Sequence, residues 1–171
     1  MLHTIWGPGM ELREEELLRR EQRNRKYMMD LKSENLLLNY NLEAGRYTAA
    51  FFPEGIHGGW EAQTCQLRVH FLGHWLSAAA MRYHASGDGE IKAKADAIVH
   101  QLALCQEENG GQWVGAIPEK YLYWIGRGKQ VWAPQYNLHK ILMGLVDQYE
   151  LAGNQEALAV ADRFADWFCQ W

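Results

Sequence analysis

The chain has 171 residues, of which 48% are hydrophobic and 22% are charged, and its formal net charge is −4. This length suits one domain, and the apolar fraction is too high for a disordered protein. The slight negative charge, with no unopposed cluster of Lys and Arg, argues against nucleic acid as a partner. No apolar run reaches the roughly 18 residues of a membrane span, so no membrane association is expected.

The cysteines are too few and too scattered for a disulfide framework or a zinc ribbon. Cys65, Cys105 and Cys169 form no CxxC pair, and isolated thiols are typical of a reducing compartment. The first ten residues, MLHTIWGPGM, lack the basic and apolar regions of a signal peptide. We therefore expect a cytoplasmic protein.

The N-terminal part, residues 1–42, is predicted to be a helical segment. Residues 11–32 place acidic side chains before basic ones, an order that favours a helix through its dipole and its i,i+4 pairs. A basic surface for a partner is conceivable, but a solvated helix face is the simpler interpretation. Residues 43–61 contain Pro53 and several glycines, which predicts a long loop.

Four amphipathic helices are predicted in the rest of the chain. The first begins near Thr64 and reaches about His84, and a Gly-rich turn at 86–89 separates it from the second. Residues 109–133 are rich in Gly and aromatic side chains and are expected to be irregular. The third helix starts at Pro134, a favoured position in a first helical turn, and another turn leads to the fourth.

These four helices form a repeat of two hairpins. Shifting the chain by 66 residues aligns Tyr83 with Tyr149 and Gly87 with Gly153. One hairpin cannot bury its apolar face alone, and stacking of similar hairpins is the usual solution. We predict an all-α fold in which residues 43–171 form the first hairpins of an (α/α)6 barrel, as an incomplete toroid. Because the apolar pattern continues to the last residue, we expect a truncated domain whose exposed helix faces favour self-association.

Histidines on the first and third of these helices are candidates for a binding site. His70 and His74 have the i,i+4 spacing of metal ligands, but no general base lies between them. We interpret them as polar residues that line a cavity, or as partly buried histidines with hydrogen-bond partners, rather than as a zinc site. His139 falls opposite Gly73 in the 66-residue register, so two successive hairpins place His74 and His139 at nearly the same height. A histidine that merely lies near a helix start explains His139 equally well.

A carboxylate precedes the first repeat helix. Glu61 follows Trp60 at the end of the segment GGWE, where it could bind a sugar hydroxyl, act as an acid or base, or cap the helix. A glycosidase needs two suitably spaced carboxylates, and no second one is identifiable. The sequence therefore identifies no catalytic residue and no set of metal ligands.

Several blocks of the sequence resemble one family of glycosidases. The segments are HGGWEAQTCQLRVHFLGHWLSAAAMRYHASGD, IVHQLALCQEENGGQWVGAIPE and APQYNLHKILMGLVDQYELAGNQEALAVADRFADW. They are similar to the β-L-arabinofuranosidase glycoside hydrolases, the clan of families 127 and 146. One departure is Val69, at a position where the family often has glycine. The resemblance implies an (α/α)6 barrel, hydrolysis of terminal L-arabinofuranosides with retention, and a cysteine nucleophile held on zinc by cysteines and a glutamate.

The resemblance carries only the sugar-binding side of that site to this chain. It implies substrate binding by Trp60, Glu61, His74, Tyr136 and His139, and it places the zinc cluster in a later part of the barrel. We therefore expect a carbohydrate ligand, zinc only in the full-length family enzyme, and a chain that is inactive alone. Two alternatives stay open: a stand-alone helical-repeat interaction module, and part of an α/α-toroid sugar epimerase.

Overall fold

The computed structural model describes residues 11–46 and 53–171, and all the regular secondary structure in these stretches is helical. The predicted all-α fold is therefore confirmed. The helices are α1 (Glu15–Asp30), α2 (Ser33–Glu43), α3 (His70–Ser86), α4 (Gly89–Glu108), α5 (Lys120–Gly126), α6 (Pro134–Ala152) and α7 (Gln155–Gln170), with a short 3-10 turn at Gly59–Glu61. The predictions about a signal peptide and about part of the loop at 43–61 concern residues outside the described ones.

The helices pack in two layers. In the first layer, α3 lies against α6 along most of its length. In the second layer, α4 lies between α2 and α7 and contacts both. Each of the hairpins α3–α4 and α6–α7 thus contributes one helix to each layer, an arrangement consistent with part of an α/α barrel.

The 66-residue repeat is visible in the turns that close the two hairpins. α3 ends at Gly87 and α6 at Gly153, both in the left-handed conformation, with φ of 71° and 70°. Asp88 and Asn154 follow, and each side chain accepts a hydrogen bond from the backbone N–H three residues later. The same pair of caps, a left-handed glycine and an N-terminal acceptor, therefore ends one helix and starts the next in both hairpins.

The space between the layers is an apolar core crossed by two buried amides. Gln148 donates to the carbonyl oxygen of Leu76 at 2.7 Å, and Gln106 donates to that of Val160 at 3.0 Å. The core side chains that are almost fully buried include Ile98, Leu102, Leu138, Ile141, Leu145 and Phe164. Within the part of the chain that the structure describes, no helix combines the length and the apolar character needed to cross a membrane.

Two segments differ from their predicted structure. The helix expected to start near Thr64 begins at His70, because Val69 has a left-handed backbone, with φ of 72°, which cannot continue a helix. The region 109–133, expected to be irregular, contains α5 and a stretch that is part of the core. That stretch consists of Trp113, Val114, Ala116 and Ile117, all buried.

The N-terminal helix α1 is attached to the first hairpin through its C-terminal end. Trp75 donates through Nε1 to the carbonyl oxygen of Met28 at 3.2 Å, and Nζ of Lys94 donates to the carbonyl oxygens of Met28, Met29 and Leu31. Met28 and Met29 belong to the last turn of α1 and Leu31 directly follows it, and carbonyl groups at a helix C-terminus lack partners within the helix. A lysine from α4 therefore caps α1.

Candidate functional site

The N-terminal ends of α3 and α6 lie side by side and form the candidate site. A Cβ atom added at Gly73 would lie 2.0 Å from the carbonyl oxygen of Lys140, so the two backbones are in direct contact. Gly73 thus permits a close approach, and the approaching group is the backbone of α6. This contact brings His74 next to Tyr136, which lies 62 residues further along the chain.

Glu61 caps α3 from the preceding turn. Its Oε2 accepts a hydrogen bond from the N–H of Val69 at 2.8 Å, and its Oε1 accepts one from the N–H of Phe71 at 3.2 Å. Oε1 also lies 2.8 Å from Nδ1 of His70. The sequence left three roles open for Glu61. The two backbone hydrogen bonds are those of one of them, helix capping.

The turn before α3 is strained. Val69 is buried and has φ of 72°, a conformation that glycine adopts readily and a β-branched residue rarely. Val69, which stands where the similar family often has glycine, therefore has a backbone conformation that favours glycine. The hydrogen bond to Glu61 and one from the hydroxyl of Tyr40 to the carbonyl oxygen of Val69, at 3.5 Å, hold the turn in place.

Aromatic and imidazole rings gather around His70. Its ring centroid lies 6.2 Å from that of Trp60, 5.9 Å from that of Tyr136 and 6.2 Å from that of His74. Trp132 meets Trp60 edge to face at 6.4 Å. We call these five residues the aromatic–imidazole cluster. Because Trp60 is 62% exposed and Trp132 51% exposed, the cluster presents two large ring surfaces to solvent.

His74 is held next to a tyrosine hydroxyl and a lysine. Its Nε2 lies 3.3 Å from the hydroxyl of Tyr136, and Nζ of Lys140 lies 5.0 Å from the centroid of the Tyr136 ring. Partial burial lowers the pKa of His74, and electrostatic interactions with Lys140, His70 and His139 lower it further. His74 is therefore neutral at pH 7 and can both donate and accept a hydrogen bond.

The five side chains predicted to bind substrate lie in this one region. Contacts with His70 and between His74 and Tyr136 connect four of them, namely Trp60, Glu61, His74 and Tyr136. The fifth, His139, is exposed on α6 and close enough to His74 to influence its pKa.

Sequence reasoning did not find the central position of His70 or the contribution of Trp132. The i,i+4 spacing placed His70 and His74 on one helix face, but the tyrosine that joins them comes from another hairpin. Trp132 is positioned by Gln66, whose Oε1 accepts from the N–H of Trp132 at 2.9 Å and whose carbonyl oxygen accepts from Nδ2 of Asn137 at 3.0 Å. No local pattern in the sequence indicates that link.

The chain matches a family model described as β-L-arabinofuranosidase, GH127 catalytic domain, over residues 11–171. The chain belongs to this family. A search of curated proteins finds no match. Membership of the GH127 family indicates a glycoside hydrolase with a carbohydrate substrate. It favours this class of protein over an interaction module or an epimerase. The matched region includes α1 and α2 as well as both hairpins.

The zinc cluster that the resemblance to this family implies does not fit the residues described. Cys105 is buried, its Sγ lies 3.6 Å from Oδ1 of Asn41, and burial raises the pKa of its thiol to about 11. Such a thiol stays protonated at pH 7 and is a poor metal ligand. Cys65 is partly buried and Cys169 is exposed. Across residues 11–46 and 53–171, no three His, Cys, Asp or Glu side chains converge on a possible metal position.

Proposed function

We propose that this chain supplies one wall of the sugar-binding site of a glycoside hydrolase that acts on terminal L-arabinofuranosides. The observation that carries the proposal is the junction of α3 and α6, where neutral His74 meets the hydroxyl of Tyr136 beside an exposed Trp60. Membership of the GH127 family supports the substrate class.

The chemistry of the site suits a furanose ring. An arabinofuranoside has hydroxyl groups that both donate and accept, and the imidazoles of His74 and His139 can do the same. The flat faces of Trp60 and Tyr136 can cover the C–H surface of the sugar, as aromatic side chains do in many small-molecule sites. Glu61 belongs to the same site, in contact with the ring of His70.

We assign binding, and no bond-breaking step, to these residues. Among the described residues Glu61 is the only carboxylate in the site, and hydrolysis of a glycoside by the usual route needs two carboxyl groups facing the scissile bond. The nucleophile and zinc that the family resemblance implies are proposed to come from another part of the catalytic domain. The wall formed by α3 and α6 would then bind and orient the terminal sugar.

Titration of the isotopically labelled chain with methyl β-L-arabinofuranoside tests this proposal. We expect chemical-shift changes at the Trp60 indole, the His74 and His139 imidazoles and the Tyr136 ring, and much smaller changes with methyl α-D-mannopyranoside. Loss of one hydrogen bond costs about 1–2 kcal/mol, so His74→Ala and His139→Ala should each weaken binding roughly tenfold. His100→Ala, on the exposed side of α4, is the matched control. Equal responses to both sugars, or unchanged affinity in both site variants, would contradict the proposal.

A further inference from the structure

We propose that His70 is an additional sugar-contacting residue, oriented by Glu61 so that its Nε2 accepts a hydrogen bond from a sugar hydroxyl. This inference rests on the proposed function and adds a residue to the same site. It also gives Glu61 a defined task, since the carboxylate positions His70 in addition to capping α3.

The orientation follows from the two oxygen atoms that face Nδ1 of His70. Oε1 of Glu61 lies 2.8 Å from Nδ1, and the carbonyl oxygen of Leu67 lies 3.2 Å from it. A carbonyl oxygen and an ionised carboxylate can only accept hydrogen bonds. Nδ1 must therefore carry a proton, and in the neutral ring Nε2 is then the acceptor.

The carboxylate that sets this orientation is itself fixed. Glu61 accepts from the backbone N–H groups of Val69 and Phe71, on either side of His70. The backbone carbonyl oxygen of Glu61 accepts from Nδ2 of Asn39 on α2 at 3.0 Å. Three independent contacts thus hold Glu61, so the direction of the His70 ring is determined by the start of α3 rather than by the ligand.

The ring of His70, which carries the acceptor Nε2, belongs to the aromatic–imidazole cluster. The ring lies between Trp60 and Tyr136, and its side chain is 15% exposed. Within the described part of the chain Nε2 makes no hydrogen bond, although it is not among the fully buried polar atoms. His74 differs, because its Nε2 already faces the hydroxyl of Tyr136. Of the two imidazoles on α3, His70 is therefore the one whose Nε2 is available to a ligand.

The substitution His70→Asn separates the two ring nitrogens. The Asn amide reaches the position of Nδ1 and can still donate to Glu61 and Leu67, whereas nothing replaces Nε2. We expect binding of methyl β-L-arabinofuranoside to weaken at least tenfold while the thermal midpoint stays within a few degrees. His100→Asn is the matched control, because Nδ1 of His100 also pairs with a carboxylate, Oε1 of Glu156 at 3.0 Å, at an exposed position outside the cluster.

Measurements of ¹⁵N shifts in the unchanged chain keep the inference testable if His70→Asn fails to fold. At pH 8 the His70 ring should carry its proton on Nδ1, and the Nε2 resonance should move towards the hydrogen-bonded range when the sugar is added. A proton on Nε2 without sugar, an Nε2 resonance that ignores the sugar, or wild-type affinity in His70→Asn would overturn the inference. If the unchanged chain binds no arabinofuranoside, the proposed function fails, and the sugar contact of His70 fails with it.

Discussion

Gly73 of α3 and Lys140 of α6 are in backbone contact, so that any side chain at Gly73 would overlap the carbonyl group of Lys140. Gly144, one helical turn further along α6, meets Gly73 in the same way, since a Cβ atom there would lie 2.6 Å from the Gly73 carbonyl oxygen. The two glycines let α3 and α6 approach until their backbones touch. His74 follows Gly73 on α3 and Tyr136 lies one turn before Lys140 on α6, so helix packing fixes the distance between their side chains.

The substitution Gly73→Ala should separate the helices. The new methyl group would meet backbone atoms, which cannot move aside as a flexible side chain can, and over-packing of this kind costs about 1–3 kcal/mol. Urea denaturation measures the change in the free energy of unfolding. Gly126→Ala in α5 is the matched control, since nothing lies within 4 Å of its Cβ position, and it should be neutral or stabilising. Equal stability of the two variants would refute the close contact.

Removal of the negative charge at Asp88 should destabilise the attachment of α1. Asp88 accepts from Nε of Arg25 at 2.6 Å and from Nε of Arg82 at 2.7 Å, and these guanidinium groups hold its pKa well below the ordinary value. Asp88→Asn keeps an N-cap acceptor, as Asn154 shows in the second hairpin. We expect a loss of about 1 kcal/mol at pH 7, because solvent screens part of the pairing.

The contribution of Asp88 to the free energy of unfolding should decrease at low pH. Because the pKa of Asp88 is lower in the folded chain, its stabilising effect is complete above the ordinary carboxyl pKa of 3.8 and is lost as the pH falls through the folded value. The difference in unfolding free energy between the wild type and Asp88→Asn should therefore shrink below about pH 4. The exposed Asp162→Asn serves as control. A difference that stays constant down to pH 3 would exclude the ion pairs as its source.

Removal of the charge of Lys140 should raise the pKa of His74. Burial is the largest cause of the lowered pKa, and Lys140 is the largest of the charges that add to it, so Lys140→Gln should recover only part of the shift. The stabilising effect of neutral His74 is present above its ordinary pKa of 6.5 and is lost as the pH falls through the folded value. Proton NMR titration of the imidazole resonances follows this change. Lys129→Gln, next to Trp124, should leave His74 unaffected.

The face of α6 that carries Val146 should support self-association. Val146 on α6 is 39% exposed, whereas Ala80, its equivalent 66 residues earlier, is fully buried. The uncovered face is therefore the counterpart of a face that is covered in the first hairpin. Sedimentation velocity at high micromolar concentration should show oligomers that Val146→Lys reduces. Tyr27→Lys, at a residue that is 54% exposed on α1, should not. A monomer at all concentrations would contradict the prediction.

The isolated chain should neither hydrolyse arabinofuranosides nor retain zinc. The described part of its site contains one carboxylate, Glu61. The buried thiol of Cys105 stays protonated at neutral pH because burial raises its pKa to about 11. Release of the chromophore from a nitrophenyl arabinofuranoside measures the first property, and metal analysis after dialysis measures the second. Clear turnover would show that catalytic groups lie within these 171 residues, and one tightly held zinc ion per chain would show that they contain a set of metal ligands.

Local sequence patterns predicted the helices well, because their information lies within a few residues. The apolar spacing, Pro134 at the start of α6 and the glycines that end α3 and α6 all act locally, and the repeat made the two hairpins recognisable. The start of α3 was predicted wrongly near Thr64, because the left-handed backbone of Val69 and its cap, Glu61, depend on a tertiary arrangement.

The candidate site was only partly predictable for the same reason. The repeat placed His74 and His139 at similar heights, and the family resemblance implied roles for Trp60, Glu61 and Tyr136. The ring of His70 acquires its neighbours only when α3 and α6 meet at Gly73, and that contact joins residues more than sixty positions apart. Nor does any periodicity indicate that Gln66 holds the backbone of Trp132.

The cap that Lys94 places on α1 makes the two ends of that helix unequal. At its C-terminal end, carbonyl groups are bound by Lys94 and Trp75, whereas Arg19 and Arg20 near its start pair with Glu15 and Glu16 of the same helix. Amide hydrogen exchange should therefore be slow around Met28 and fast before Glu21, because the side-chain hydrogen bonds and ion pairs described for residues 15–20 stay within the helix. The helix would unwind from its beginning while remaining anchored by its end.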